Sequence, residues 1–369
     1  MRVLLLILLS LTVCGAFSSL SAQVKPDGKE DVIRVDTQLV DIPIAVNSVN
    51  GVPVRGLTAA NFIVYEDGKR QETVDFSTTA APFEVALLLD TSGSTRNDLQ
   101  LIQRSARDFI SSLRAGDRVS IVSFNTSRTN DQAFAVSEIL SGLTSDRAVL
   151  GRAIDNIKTS NGTPYYDSLL QVVEKVFRDK PKDEFRGRRA LVALTDGVDS
   201  TSAEDFATAK QEISQTGIIS FFIQVDTREF FEQNLLGDCQ TAIRFSQAQI
   251  RRYYKSFSSK AKIEKAVNFC GLGEFERLAI SKKLYEIADT EMNDLAKSSG
   301  GRVFPVADLS EARSAFKSVA DEIGTKYTLG YYPSNDKRDG TFRKIKVETK
   351  GLPPGTQVRA REGYTAPSN

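Results

Sequence analysis

The sequence predicts an α/β fold with a central, mostly parallel sheet, joined to a small β-sandwich-like subdomain built from both chain ends. Three observations point there. Between residues 81 and 326, short apolar runs alternate with helical patterns, the signature of βαβ units. Residues 33–80 and 327–369 instead alternate apolar and polar side chains with period two and contain no helical stretch of normal length. The apolar run Phe83 to Leu89 also ends abruptly in Asp90-Thr91-Ser92-Gly93-Ser94, a polar turn of the kind that follows a buried parallel strand.

Taken in order, Arg2, the apolar residues 3–13 and the small residues up to Ala22-Gln23 are expected to form a secretory signal spanning 1–22, cut after Ala22. Its eleven-residue apolar core is shorter than a membrane span. Leu11-Thr12-Val13-Cys14-Gly15 offers Cys14 as a lipid acceptor, with bulky Val13 counting against it, and a retained anchor is the third alternative. Export would place the chain in the periplasm or outside the cell. The mature chain of about 347 residues suffices for one substantial core and a smaller one.

Ile33-Arg34-Val35, residues 40–46 and Phe62-Ile63-Val64-Tyr65 read as strands, with turns at Asn50-Gly51 and Glu66-Asp67-Gly68. This N-terminal β segment is too short to bury two sheet faces, so it needs strands from elsewhere. The C-terminal segment supplies them at 327–332, 342–348 and 357–361, separated by Asp339-Gly340 and by Gly351-Leu352-Pro353-Pro354-Gly355. In the middle, strands are predicted at 83–90, 118–124, 189–195, 218–225 and 302–306, with 133–139 as an antiparallel edge strand. Helices are predicted near 97–113, 146–157, 165–178, 203–216, 287–298 and 309–323. Apolar spacing at Ile102, Ala106, Phe109, Ile110 and Leu113 buries one face of the first helix.

Residues 229–285 read as a helical insertion in the 81–326 domain, with aromatic residues such as Phe230, Tyr253, Phe275 and Tyr285 interleaved with Lys and Arg. They serve packing or a contact between copies, or else partner recognition. Cys239 and Cys270, thirty-one residues apart, either form one disulfide in an oxidising compartment or remain two buried thiols.

Charge excludes several function classes. Removing residues 1–22 takes away Arg2 alone, leaving Lys+Arg and Asp+Glu at 47 each, so no global field favours nucleic acid or acidic lipid. Arg186-Gly187-Arg188-Arg189 and Arg251-Arg252 are too brief to be phosphate tracks, and no later apolar stretch reaches membrane length. The chain has no His, which excludes Ser-His-Asp and Cys-His devices and His-ligated metal hydrolases. Two Cys without His do not make an ordinary zinc site. No Gly-x-x-x-x-Gly-Lys-Ser/Thr loop is present.

What remains is cation chemistry. Asp90, Ser92 and Ser94 follow one apolar strand, Asp196 follows a second that ends in Thr195-Asp196-Gly197, and Thr163 in Gly162-Thr163-Pro164 precedes a helical pattern. Ligands of such sheets bind beyond the carboxyl ends of the strands. Oxygen donors alone suit Mg²⁺, Mn²⁺ or Ca²⁺.

In these positions the chain resembles a von Willebrand factor type A domain, a Rossmann-like fold, with a complete metal-ion-dependent adhesion site. One loop of that family supplies Asp-x-Ser-x-Ser, here Asp90, Ser92 and Ser94; a second supplies Thr, here Thr163; a third supplies Asp, here Asp196. The resemblance implies that Ser92 and Ser94 bind the ion directly and that Asp90 and Asp196 act largely through waters and hydrogen bonds. Thr163 would move in or out as the carboxylate of a protein partner completes the octahedron. Across its length the chain also resembles exported proteins of this group from acidobacteria, including Gly56-Leu57-Thr58 with Phe62, Glu66-Asp67-Gly68 and the terminal Gly363-Tyr364.

Neutral hydroxyl ligands leave the ion with residual positive charge, so it still attracts an external Asp or Glu. The expected function is therefore an exported, non-enzymatic, cation-dependent protein-binding module of adhesion type. The alternative is a structural component of an envelope or extracellular assembly whose ion stiffens the loops.

Overall fold

The computed structural model describes residues 39–78, 81–93, 98–129, 132–257 and 267–368. The expected signal at 1–22, Cys14 and the strand at 33–35 lie outside these residues. In chain order, β1 (Val40–Asn47), β2 (Phe62–Glu66), β3 (Lys69–Gln71) and β4 (Thr73–Ser77) precede β5 (Glu84–Leu89), α1 (Leu99–Ser112), β6 (Arg118–Thr129) and β7 (Gln132–Thr144). Then come α2 (Arg147–Asp155), α3 (Tyr165–Gln171), β8 (Arg189–Thr195), α4 (Phe206–Thr216) and β9 (Ile219–Val225). After α5 (Arg228–Leu235), α6 (Gln247–Phe257), α7 (Glu274–Ser299), β10 (Arg302–Val306) and α8 (Ala312–Ile323), the chain ends in β11 (Tyr327–Tyr331), β12 (Phe342–Thr349), β13 (Gln357–Ala360) and β14 (Gly363–Thr365).

The central sheet has the order β10-β9-β8-β5-β6-β7. All its pairs are parallel except β6 with β7. Strand β5 is apolar at nearly every position because both of its faces are covered. Val85, Leu87 and Leu89 face a core shared with α1, α2 and α8, while Ala86 and Leu88 face one shared with α3, α4 and α7. Helix α1 joins the first core through Ile102, Ala106, Phe109 and Ile110, the predicted stripe, and Phe109 meets Phe316 of α8 at 5.1 Å between ring centres. At the opposite rim from the polar turn, Glu84 is buried and neutralised by Arg118 at 2.7 Å and Arg189 at 2.9 Å.

The chain ends build two antiparallel sheets, β13-β1-β11-β4 and β14-β12-β2-β3. Strand β1 pairs with β11 from Val40↔Tyr331 to Ile44↔Tyr327 and with β13 from Ile44↔Ala360 onward, so the N-terminal strand is sandwiched by C-terminal ones. Strand β12 pairs with β2 from Ile345↔Glu66 to Thr349↔Phe62. Ile42, Ile44, Phe62, Val64, Tyr327, Leu329 and Ile345 share the core between them. The buried Glu66 carboxylate accepts the hydroxyls of Tyr331 (2.7 Å) and Tyr364 (2.9 Å), which satisfies all three groups inside that core.

Several elements differ from the sequence expectations. The helix expected at 287–298 is the C-terminal half of α7, which runs for 26 residues and begins inside the segment read as an insertion. Its buried stripe Arg277, Ile280, Leu284, Ala288, Met292 and Leu295 is continuous, but its two halves pack against different cores. The first half closes a separate apolar cluster with Leu235, Phe245, Ile250 and Phe269, and a disulfide joins Cys239 to Cys270 with Cα atoms 5.2 Å apart. The helix expected over 165–178 is α helical only to Gln171 and continues as a π turn, Val172–Val176. Strand β6 reaches Thr129, five residues beyond the expected end, because β7 pairs with it along almost its whole length. Among the described residues no helix is long and apolar enough to cross a membrane.

Candidate functional site at the carboxyl ends of the central strands

Strands β5 and β8 are neighbours in register, Leu89 opposite Leu194, and the pairing continues one step further where the Asp90 amide donates to Leu194 O at 2.9 Å. The chain then turns, and the carboxylates of Asp90 and Asp196 are held on adjacent strand ends. Both are buried, with residue exposures of 1% and 8%. Asp90 Oδ1 accepts the Ser92 amide at 2.9 Å, and its Oδ2 accepts the Thr195 hydroxyl at 2.7 Å. Thr195 Oγ1 in turn accepts the Gly197 amide at 2.9 Å, so one hydroxyl couples both turns. Asp196 Oδ1 accepts the Val198 amide at 2.9 Å and its Oδ2 accepts the Thr227 hydroxyl at 2.6 Å.

Thr163 is buried immediately before α3. Its amide donates to Ser200 Oγ at 2.8 Å, and the Ser200 amide donates back to Thr163 O at 3.0 Å. The same loop reaches the first turn through Ser160, whose amide donates to Thr91 O at 2.8 Å. The three segments carrying Asp90 and Ser92, Thr163, and Asp196 are thus laced to one another by direct hydrogen bonds. Ser94 lies outside the described residues.

Electrostatics mark the site as short of positive charge. Burial pushes the Asp90 carboxyl above its usual range, against the opposing pull of its hydrogen bonds from Ser92 and Thr195. Asp196 is raised to about 7, first by burial and then by the charge of Asp90, with Thr227 and Val198 only partly offsetting this. Two buried carboxylates that repel each other are the condition a bound cation relieves. The donors suit a hard divalent ion, since they are carboxylate and hydroxyl oxygens with no sulfur or imidazole. Among the described residues no group of three or more Asp, Glu, His or Cys side chains forms an acidic cage. The candidate set holds two carboxylates with hydroxyls, which is a different composition from such a cage.

Residues outside the sequence-derived set complete the site. Asp199, fully buried, accepts the Tyr165 amide at 2.9 Å on Oδ2, and so fixes the start of α3 beside Thr163. Arg252 of α6 holds Asp199 through its carbonyl at 3.1 Å and Oδ1 at 3.2 Å and lies 4.7 Å over the Tyr166 ring. Burial raises the Asp199 carboxyl and Arg252 works against that rise. Thr227 lies beyond the end of β9, so the strand-end logic that picked out Asp90 and Asp196 also applies to Asp226-Thr227. Nothing in the local sequence signals Arg252 or Tyr285, which approach from the helical segment.

Residues 85–198 match the family described as von Willebrand factor type A domain, and that span holds Asp90, Ser92, Ser94, Thr163 and Asp196. The chain contains a von Willebrand factor type A domain. No curated protein matches the chain. Among solved structures it is similar to a von Willebrand factor type A protein from Catenulispora acidiphila, at 13% identity and a TM-score of 0.43, over 90% of this chain and 64% of that one. It is also similar to proximal thread matrix protein 1 from the mussel byssus, at 14% identity and a TM-score of 0.40, over 65% of this chain and 48% of that one. The SpRpn10 VWA domain matches at 14% identity and a TM-score of 0.31, over 39% of this chain and 75% of that domain. The chain therefore spans less than two thirds of the length of the first two. The type A domain places its matched strands β5, β6 and β8 side by side, with the laced loops at their carboxyl ends.

Proposed function

We propose that this chain is an exported, non-enzymatic protein-binding module whose type A domain holds one divalent cation, Mg²⁺ or alternatively Mn²⁺ or Ca²⁺, and presents it to an Asp or Glu of a partner protein. Asp90, Ser92, Ser94, Thr163 and Asp196 would hold the ion as a metal-ion-dependent adhesion site. When bound, the ion supplies a Lewis-acidic centre that attracts an external carboxylate. The chain's own residues orient the donors: Thr195 directs Asp90, Thr227 directs Asp196, and Ser200 ties the Thr163 loop to the turn after β8.

The observation that carries this reading is the lacing of three loops around two buried, mutually repelling carboxylates at one sheet end. Site residues with hydroxyl oxygens outnumber the carboxylates, which leaves a bound ion more attractive to an outside anion than a carboxylate cage would. An exported setting, periplasmic or extracellular, rests on the N-terminal pattern at 1–22, and the disulfide is consistent with an oxidising compartment. The likeness to exported acidobacterial proteins rests on the sequence motifs alone.

The test is a titration of the purified chain with Mg²⁺, Mn²⁺ and Ca²⁺ by calorimetry, followed by binding of a Glu-containing peptide with and without chelator. One ion per chain, and peptide binding lost with EDTA and in Asp90→Ala, is the expected result. Ion binding without any cation-dependent carboxylate binding would favour the structural alternative.

A further inference from the structure

We propose that Thr227 and Tyr285 are positioning residues that fix the Asp196 carboxylate, and that through them the disulfide-stapled segment α5–α7 governs the affinity of the cation site. This rests on the cation-site reading given above. Thr227 Oγ1 lies 2.6 Å from Asp196 Oδ2 and 2.8 Å from the Tyr285 hydroxyl, and all three residues are buried. A threonine hydroxyl carries one proton, and an ionised carboxylate only accepts. The Thr227 proton therefore goes to Asp196, and Tyr285 must donate to Thr227. Polarisation along such a chain strengthens each bond, so loss of the distal phenol weakens the hold on the carboxylate even though the two never touch.

The relay is anchored on α7, and the same helix touches the site at two further points. Met292 packs so closely on the turn after Asp196 that a Cβ at Gly197 would lie 2.8 Å from its Cε. Glu291 accepts the Tyr166 hydroxyl at 2.5 Å, in the first turn of α3 just after Thr163. From α6, Arg252 grips Asp199 at 3.1 and 3.2 Å. Val198, two residues beyond Asp196, belongs to the apolar cluster of the segment itself, with Leu235, Phe245, Phe269 and Leu284. The Cys239–Cys270 bridge closes that cluster between α5 and α7. The turn that carries Asp196 is thus held from its outer side by the helical segment, and loosening the segment should move the carboxylate.

Removing the hydrogen-bond partner of a metal-site residue commonly weakens metal binding about 10- to 100-fold. Mn²⁺ titration of the full chain is the probe, with Thr227→Val, Thr227→Ser and Tyr285→Phe variants and unfolding curves recorded in EDTA. Thr227→Val is expected to weaken Mn²⁺ binding about tenfold or more, Tyr285→Phe to weaken it less, and Thr227→Ser, which keeps the hydroxyl, to restore it. A packing role alone would make Ser, with its missing methyl, worse than Val. Reduction of the disulfide in the folded parent with a phosphine is expected to weaken Mn²⁺ binding as well. Parent binding with unchanged affinity in Thr227→Val overturns the proposal while leaving the cation site intact. If Thr227→Val does not fold, unchanged affinity in Tyr285→Phe overturns it in the same way. No Mn²⁺ binding by the parent overturns the cation-site reading and this inference together, and unchanged affinity after reduction overturns the control assigned to the stapled segment.

Discussion

Replacing Gly197 by Ala probes how closely α7 is set against the Asp196 turn. Gly197 has φ +75°, a left-handed conformation that costs an L side chain about 1–2 kcal/mol. The added Cβ would stand 2.8 Å from Met292 Cε and 2.9 Å from its Sδ, well inside the carbon contact distance of about 3.5–4.0 Å. Met292 is fully buried, so its thioether can yield only by repacking neighbours, and overpacking of that kind costs about 1–3 kcal/mol. A flexible Met keeps the second contribution toward its lower end. The expected loss is therefore about 2–4 kcal/mol, read from urea unfolding in EDTA. Measured against Met292→Ala instead of the parent, the same substitution should cost only the backbone share of about 1–2 kcal/mol. An unchanged urea midpoint in Gly197→Ala would refute both parts. Full cost in the Met292→Ala background would refute the contact with α7.

Three further outcomes follow from other parts of the molecule. Lys326 is buried, with Nζ donating to Gly300 O at 2.9 Å, and burial pulls its ammonium from 10.5 down to about 8. The folded state releases that proton before the unfolded state does, so stability should rise between about pH 8 and pH 10.5 by about 3 kcal/mol, and Lys326→Met should flatten the rise; parallel pH profiles of the two chains would reject this. Reducing Cys239–Cys270 should lower stability of the α5–α7 segment by about 2–4 kcal/mol, visible as faster amide exchange in α6 and the first half of α7; unchanged protection would count against a stabilising bridge. Deleting 327–369 removes β11 from between β1 and β4 and β12 from beside β2, which bares Ile42, Ile44, Phe62 and Val64. The truncated chain should aggregate or be cut within 40–77, and a monomeric, protease-resistant N-terminal region would show that the two ends are independent.

The central strands were legible because burial on both faces forces continuous apolar runs, and Asp90 and Asp196 stood out as the carboxylates that end two of them. Period-two alternation likewise marked β1, β2, β11, β12 and β13. Strands β3 and β4 were missed because they carry Lys69, Arg70 and Asp75 and stand at sheet edges, and β14 is only three residues long. The start of α7 was missed because its first half, read only as part of a helical insertion, packs against a second core with Leu235, Phe245, Ile250 and Phe269 that no local pattern delimits. Thr227 reaches Asp196 across 31 residues and Tyr285 reaches Thr227 across 58, and no local pattern encodes a hydroxyl relay of that span.

Asp90, Ser92 and Asp196 are proposed to converge on one divalent ion. Crystals of the chain grown with Mn²⁺ and measured at the manganese absorption edge would locate that ion. One strong anomalous peak is expected at the carboxyl ends of β5 and β8, within ligand or water-bridged reach of Asp90, Ser92 and Asp196. No peak is expected there in Asp196→Ala crystals grown the same way. A parent crystal with manganese peaks only elsewhere on the molecule would contradict that convergence.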